Sequence, residues 1–375
     1  MHMSFQYPRV LTIRALLTLV IFVTIIGGFC VLNFIIKPPE VLYSERRVPA
    51  SIPNLSLQNI ISAKYMNQFE DFVSDNFVYR DELRTVRAAT VFHLFFQTDK
   101  SGLYYDGAVG AGKFERLNEQ ALRQTAAKIR KITDDLDGLN IYYSYIPDKD
   151  IYANIDYPGF DTDKVLTILL EELPELTLIE LRDTLSAEDF YRTDLHWDQV
   201  KLGNVVDKLG AAMGFNVDMD SYKSVIVGEF QGVYTGQLAL PVSNDEMVNI
   251  VLGDSVSARY LNNKSFEWEY GPVYDTKAFS GRDPYDIFLS GVEPLIVLEN
   301  PNSTTERELY LFRDSFSSSL APLLTQAYRK ITLIDLRYID YSNLSNFVSF
   351  ERGLSDVLFL YSSQVLNNPG ALLIK

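Results

Sequence analysis

Two segments of this sequence bring together residue types that can move an acyl group. In Tyr191-Arg192-Thr193-Asp194-Leu195-His196-Trp197 an aspartate stands two residues before a histidine. At that spacing the carboxylate can hold imidazole Nδ1 and leave Nε2 to accept a proton, which is what a general base requires. In Arg313-Asp314-Ser315-Phe316 a serine follows the apolar run Leu309–Phe312 and opens a helical stretch. A serine at such a turn has free backbone N–H groups beside it, which suits an oxyanion. Each segment also has a structural alternative: a loop histidine with Asp198 capping the next helix, and Asp314 or Ser315 acting only as a cap. Ser255 is a rival nucleophile at the end of Ile250-Val251-Leu252-Gly253-Asp254-Ser255, but the short polar sequence after it gives no firm helix.

Further residues are candidates for binding. Arg337 and Tyr338 follow a strand-like run near the expected cleft and suit a sugar hydroxyl or carboxylate, although Arg337 can equally pair with Asp335 or Asp340. Trp197 and Trp268 offer faces for a sugar ring, a role large aromatics give up when they are core. His93, within Val91-Phe92-His93-Leu94-Phe95-Phe96, reads as a core residue.

Composition removes other classes. The 375 residues carry 34 basic and 49 acidic side chains, a net charge of -15, and no basic cluster long enough for a nucleic-acid face. One cysteine, Cys30, excludes an internal disulfide, and three histidines leave little for a metal centre. No Walker loop, dinucleotide fingerprint or calcium loop is present, so no cofactor or metal is expected.

The elements that must position these residues begin at a membrane. Residues 15–36 contain no charge, and at about 1.5 Å per residue they span a hydrocarbon layer of roughly 30 Å. No small-x-small site follows closely, so the segment reads as an uncleaved anchor rather than a signal peptide. Arg9 and Arg14 precede it, which places residues 1–14 in the cytoplasm and the main domain outside the cell membrane. Without those two arginines the exported part holds 32 basic against 49 acidic residues, -17, and no thiol.

Residues 37–56, with four prolines, read as a stalk, and residues 57–375 as one large domain. Helices are expected through Tyr65–Val73 and Arg80–Phe96, then a hairpin around Tyr104–Gly112. Helical patterns at 117–136, 163–173 and 198–213 alternate with strand-like runs at 141–146, 176–181 and 224–227. Four more apolar runs follow, at 294–298, 308–312, 331–334 and 357–361. This alternation predicts an α/β fold with a doubly wound, mostly parallel sheet, interrupted by an irregular insertion at about 228–290.

Taken in order, FEDFVSDNFVYRDEL, IPDK, YRTDLHW, DPYDIFLSG, LYLFRDSFSSSLAPLL and ITLIDLRY resemble the DHHW family. That family is related to alginate O-acetyltransferase-type, SGNH-hydrolase-like proteins, and the resemblance covers most of the exported chain. It implies Ser315 as nucleophile, His196 as base and Asp194 as its partner, and it leaves Ser255 outside the pattern. It also implies a bacterial enzyme that acetylates a cell-surface polysaccharide, supplied with acyl groups by a multi-span membrane-bound O-acyltransferase. Two departures stand out. The family's Asp-His-His-Trp is Asp194-Leu195-His196-Trp197 here, and an expected Gly-Asn reads Gly291-Val292. A carbohydrate esterase with the same triad and an inactive envelope scaffold protein are the alternative readings.

Overall fold

Continuous apolar runs such as Leu309–Phe312 are how strands read when both their faces are buried. In the computed structural model, which describes residues 9–155 and 160–374, these runs form the centre of an eight-stranded sheet. Its spatial order is Thr177–Leu178, Asn140–Ile146, Ser355–Ser362, Glu308–Arg313, Lys330–Ile334, Leu295–Glu299, Ser257–Leu261 and Trp268–Gly271. The first five strands pair in parallel. The last three add an antiparallel flank.

Alternate side chains of the central strand enter two separate cores. Leu309 and Leu311 pack with the helix Gly203–Met213 on one face. Tyr310 and Phe312 pack on the other face with the helices Glu119–Thr133 and Thr162–Glu172. From Glu308–Arg313 the chain crosses to Lys330–Ile334 on one side and later returns to Ser355–Ser362 on the other. The strand order therefore reverses beside Arg313, and at such a reversal a cleft opens at the carboxyl ends of the strands.

Three expectations change. Ser224–Val227 lies in Lys223–Phe230, which pairs antiparallel with Asp245–Val251 in a separate ribbon and not in the main sheet. Its apolar Val225 and Ile226 are exposed, so a short apolar run there did not signal burial. The segment 228–290 is more regular than its pattern predicts, since it supplies two strands of the main sheet. His93 sits in a π-helical turn, Thr90–Leu94, and is exposed rather than core.

The chain forms two compact units that divide at Arg87/Ala88. The first contains the helix Arg9–Ile35, in which Ile13–Ile35 is long and apolar enough to cross a membrane. Residues 37–56 carry a short turn, Tyr43–Glu45, and the helices Leu57–Ile61 and Lys64–Asp75 follow.

Candidate active site

At the carboxyl edge of the sheet the structure brings Asp194, His196 and Ser315 into one line of hydrogen bonds. The buried Asp194 carboxylate can only accept, so His196 Nδ1 donates to Asp194 Oδ1, at 2.7 Å. That fixes the tautomer in which Nε2 is the acceptor, and Ser315 Oγ donates to it at 2.8 Å. His196 is 5% exposed, while Ser315 is partly open to solvent.

The loop that carries the dyad is held from four directions. Val233 N–H donates to Asp194 Oδ2 at 3.0 Å, occupying the oxygen that faces away from the imidazole. Asp245 accepts from the backbone N–H groups of Arg192 and Thr193 at 3.0 and 2.7 Å and from the Thr193 hydroxyl at 2.6 Å. Lys149 is fully buried and donates to the Tyr191 carbonyl at 2.9 Å, and burial lowers its pKa to about 8. Gly110, at φ 79°, lets Ala111 N–H reach the Arg192 carbonyl at 2.7 Å, and a Cβ there would lie 2.1 Å from that oxygen.

The imidazole is also clamped from its face. Tyr285 stacks on it with ring centroids 3.7 Å apart and planes 5° apart. The Tyr285 hydroxyl donates to Ser319 Oγ at 2.8 Å, and Trp197 Nε1 donates to the same oxygen at 3.0 Å. Ser319 belongs to the helix Ser317–Leu320 that follows the nucleophile's turn. Base and nucleophile are thus tied through one hydroxyl.

At the turn itself, Asp314 Oδ1 accepts from Phe316 N–H at 3.1 Å and Oδ2 from Ser362 N–H at 2.7 Å. The Phe316 N–H is therefore not open to an oxyanion. Among the described residues no acceptor stands against the Ser315 N–H. Arg313, just before this turn, is buried, and its Nη1 donates to Ser318 Oγ at 3.0 Å.

The remaining candidates separate. Trp197 is fully buried and donates to the Phe316 carbonyl at 2.9 Å, so it braces the turn and offers no face to a sugar. Arg337 holds Asp335 in a two-pronged pair at 2.9 and 2.7 Å, the structural alternative for that residue, and lies over the ring of the exposed Tyr338. Ser255 precedes Ser257–Leu261 at the opposite end of the sheet and donates to Asn300 Oδ1 at 3.2 Å. Trp268 lies on the flanking strand beneath Arg259. Val292 is exposed and its hydrocarbon side chain donates nothing. Just before it, Leu289, Ser290 and Gly291 all adopt positive φ, 58°, 55° and 83°.

The sequence reading missed Asp245, Tyr285 and Ser319, and it gave Lys149 no role. Lys149 had a signal, a lysine three residues after the buried strand end at Ile146. Asp245 had none, because it reaches the loop from the separate ribbon.

No family model and no curated protein matches the sequence. Solved structures do match. A DHHW family protein from Eubacterium siraeum aligns with a TM-score of 0.61 and 16% identity over 72% of this chain and 93% of its own. The chain shares the fold of a DHHW-family protein. PatB1 of Bacillus cereus, solved with a sulfonyl adduct, aligns with a TM-score of 0.56 and 16% identity over 70% of this chain and 95% of its own. The O-acetyltransferase domain of Pseudomonas putida AlgJ gives 0.43 and 13% over 71% and 92%. The architecture is a mixed α/β fold with a mostly parallel central sheet, and the chain carries one N-terminal apolar helix.

Proposed function

We propose that this protein is a membrane-anchored serine O-acyltransferase that places acetyl groups on hydroxyls of a cell-surface polysaccharide. The observation that carries the reading is the unbroken hydrogen-bond line from Ser315 through His196 to Asp194, with only the serine open to solvent. In the first half-reaction Ser315 Oγ attacks the acyl carbonyl while His196 Nε2 takes its proton. Asp194 stays ionised and holds the imidazolium. The Ser315 N–H donates to the carbonyl oxygen as it becomes negative. Collapse expels the donor's alcohol or thiol, which takes the proton from His196. In the second half-reaction a sugar hydroxyl loses its proton to His196 and attacks the acyl-serine carbonyl; the bond to Ser315 Oγ breaks, His196 returns the proton to that oxygen, and the sugar leaves as the acetyl ester.

The helix Ile13–Ile35 is the anchor, and Arg9 and Arg14 keep its N-terminal end in the cytoplasm. Outside the membrane there is no acetyl-CoA, so the acyl group comes across the bilayer from a membrane-bound O-acyltransferase partner. Tyr338, exposed at the carboxyl edge of the sheet and backed by the Arg337–Asp335 pair, faces the acceptor sugar.

The test is intact-protein mass spectrometry after exposure to an activated acetyl ester, with Ser315→Ala and Ser255→Ala beside the parent. An acetyl adduct on the parent and on Ser255→Ala but not on Ser315→Ala is the expected result. An adduct that survives Ser315→Ala, or none on a folded parent, sinks the mechanism. Ester formation on added oligosaccharide, against free acetate, separates transferase from esterase. Surface acetylation that persists in cells carrying Ser315→Ala would place the protein among scaffolds.

A further inference from the structure

The N-terminal unit leaves an amphipathic helix uncovered close to the apolar span. In Lys64–Asp75 the residues Tyr65, Met66, Phe69, Phe72 and Val73 fall within an arc of about 120°. Met66, Phe69 and Val73 are exposed. The opposite arc holds Asn67, Asp71 and Ser74. The polar side of the helix's C-terminal end is already engaged: Asp75 accepts from the Arg47 guanidinium and from Ala50 N–H at 2.9 Å.

The turn that ends this helix is fastened to the span. Phe77 stacks on Phe29 at 5.4 Å, and Val78 N–H donates to the Asn33 side chain at 2.9 Å. Phe29 lies six residues before the end of the helix Arg9–Ile35, about 9 Å along its axis. A residue stacked at that level reaches the depth of the acyl chains when the helix crosses a bilayer.

We infer that the helix Lys64–Asp75 lies in the bilayer surface on the C-terminal side of the span, with Met66, Phe69 and Val73 among the lipid acyl chains. The inference rests on the anchor reading above. Lipid is the occupant because the connected span fixes the helix end at membrane depth. The helix carries three acids against one lysine, so anionic headgroups add nothing and the apolar face supplies the binding. A helix so placed gives the exported chain a second, shallow contact with the membrane.

The full chain, reconstituted in phosphatidylcholine nanodiscs with or without brominated acyl chains, provides the test. Met66→Cys, Phe69→Cys, Val73→Cys, Asn67→Cys and Asp71→Cys are made singly in a Cys30→Ser background and labelled with one environment-sensitive fluorophore. The natural Cys30, inside the span, is the reference. The inference expects bromine quenching at 66, 69 and 73 of at least half the Cys30 value, and at least threefold less at 67 and 71. Quenching at Cys30 with none at 66, 69 and 73 overturns it and leaves the anchor standing. Blue-shifted emission at those three without quenching also overturns it, because protein then covers the face. No quenching at Cys30 overturns the anchor and this inference together.

Discussion

The imidazole of His196 lies flat on the phenol ring of Tyr285, 3.7 Å between centroids and 5° between planes. During acyl transfer this imidazole becomes a cation, and a cation over an aromatic face is stabilised by about 0.5–2 kcal/mol. Tyr285→Leu therefore removes that stabilisation of the transition state and leaves the His196 ring free to rotate. We expect kcat to fall about tenfold, for a loss near 1.4 kcal/mol. Tyr285→Phe keeps the face and loses only the bond to Ser319, so its kcat should stay close to the parent's. Equal kcat in the parent and in Tyr285→Leu would show that the ring only fills space.

Asp194 holds both the imidazole and a backbone N–H, so its charge and its position can be tested apart. Asp194→Asn preserves the shape, but its amide nitrogen no longer requires Nδ1 to carry the proton. A wrong tautomer presents Nε2–H to Ser315 and removes the acceptor. The expected loss is about 10⁴ in kcat, as for other Ser-His-Asp sites. Single-turnover acetylation of Ser315 measures it directly, and a loss under tenfold would remove Asp194 from the mechanism.

The strands that form the sheet's centre were readable because burial on both faces leaves an unmistakable apolar run, as at Leu309–Phe312 and Val357–Tyr361. The Asp-x-His spacing and the serine at a strand-to-helix turn were readable for a similar reason, since both are local. Asp245 was not, because its partners Arg192 and Thr193 lie about fifty residues earlier in the chain. Tyr285 looked like one aromatic among many, and only the fold lays it on His196. Trp197 misled for the opposite reason. Its ring offered a face for a sugar, but the Phe316 carbonyl and Ser319 hold its indole N–H in the interior.

Lys149 offers a stability test whose sign is fixed by burial. The folded pKa, about 8, lies below the unfolded value near 10.4, so between these pH values the unfolded chain holds more protons. Stability from this residue therefore rises as pH increases from about 8 to 10.4, by at most about 3 kcal/mol. Lys149→Met lacks that rise and leaves the Tyr191 carbonyl without its donor, costing about 1–3 kcal/mol. The gap between parent and variant should widen over that interval in denaturant titrations. A constant gap would mean that the buried amine keeps its proton across the interval as the unfolded chain does, and that burial does not depress its pKa.

Asp150 works in the other direction. It is buried beside Asp148 and Glu115, and burial first, then those two carboxylates, raises its pKa well above the ordinary range. The folded chain thus retains a proton that the unfolded chain releases from about pH 4 upward. Its contribution is complete below that pH and is lost as pH climbs to the folded value. Asp150→Asn keeps the size and has no proton to lose. Near pH 8 the variant should melt higher than the parent, by about 2–4 °C for each kcal/mol recovered. At pH 4 the two should melt together. A variant less stable than the parent at pH 8 would show that Asp150 is held as a carboxylate.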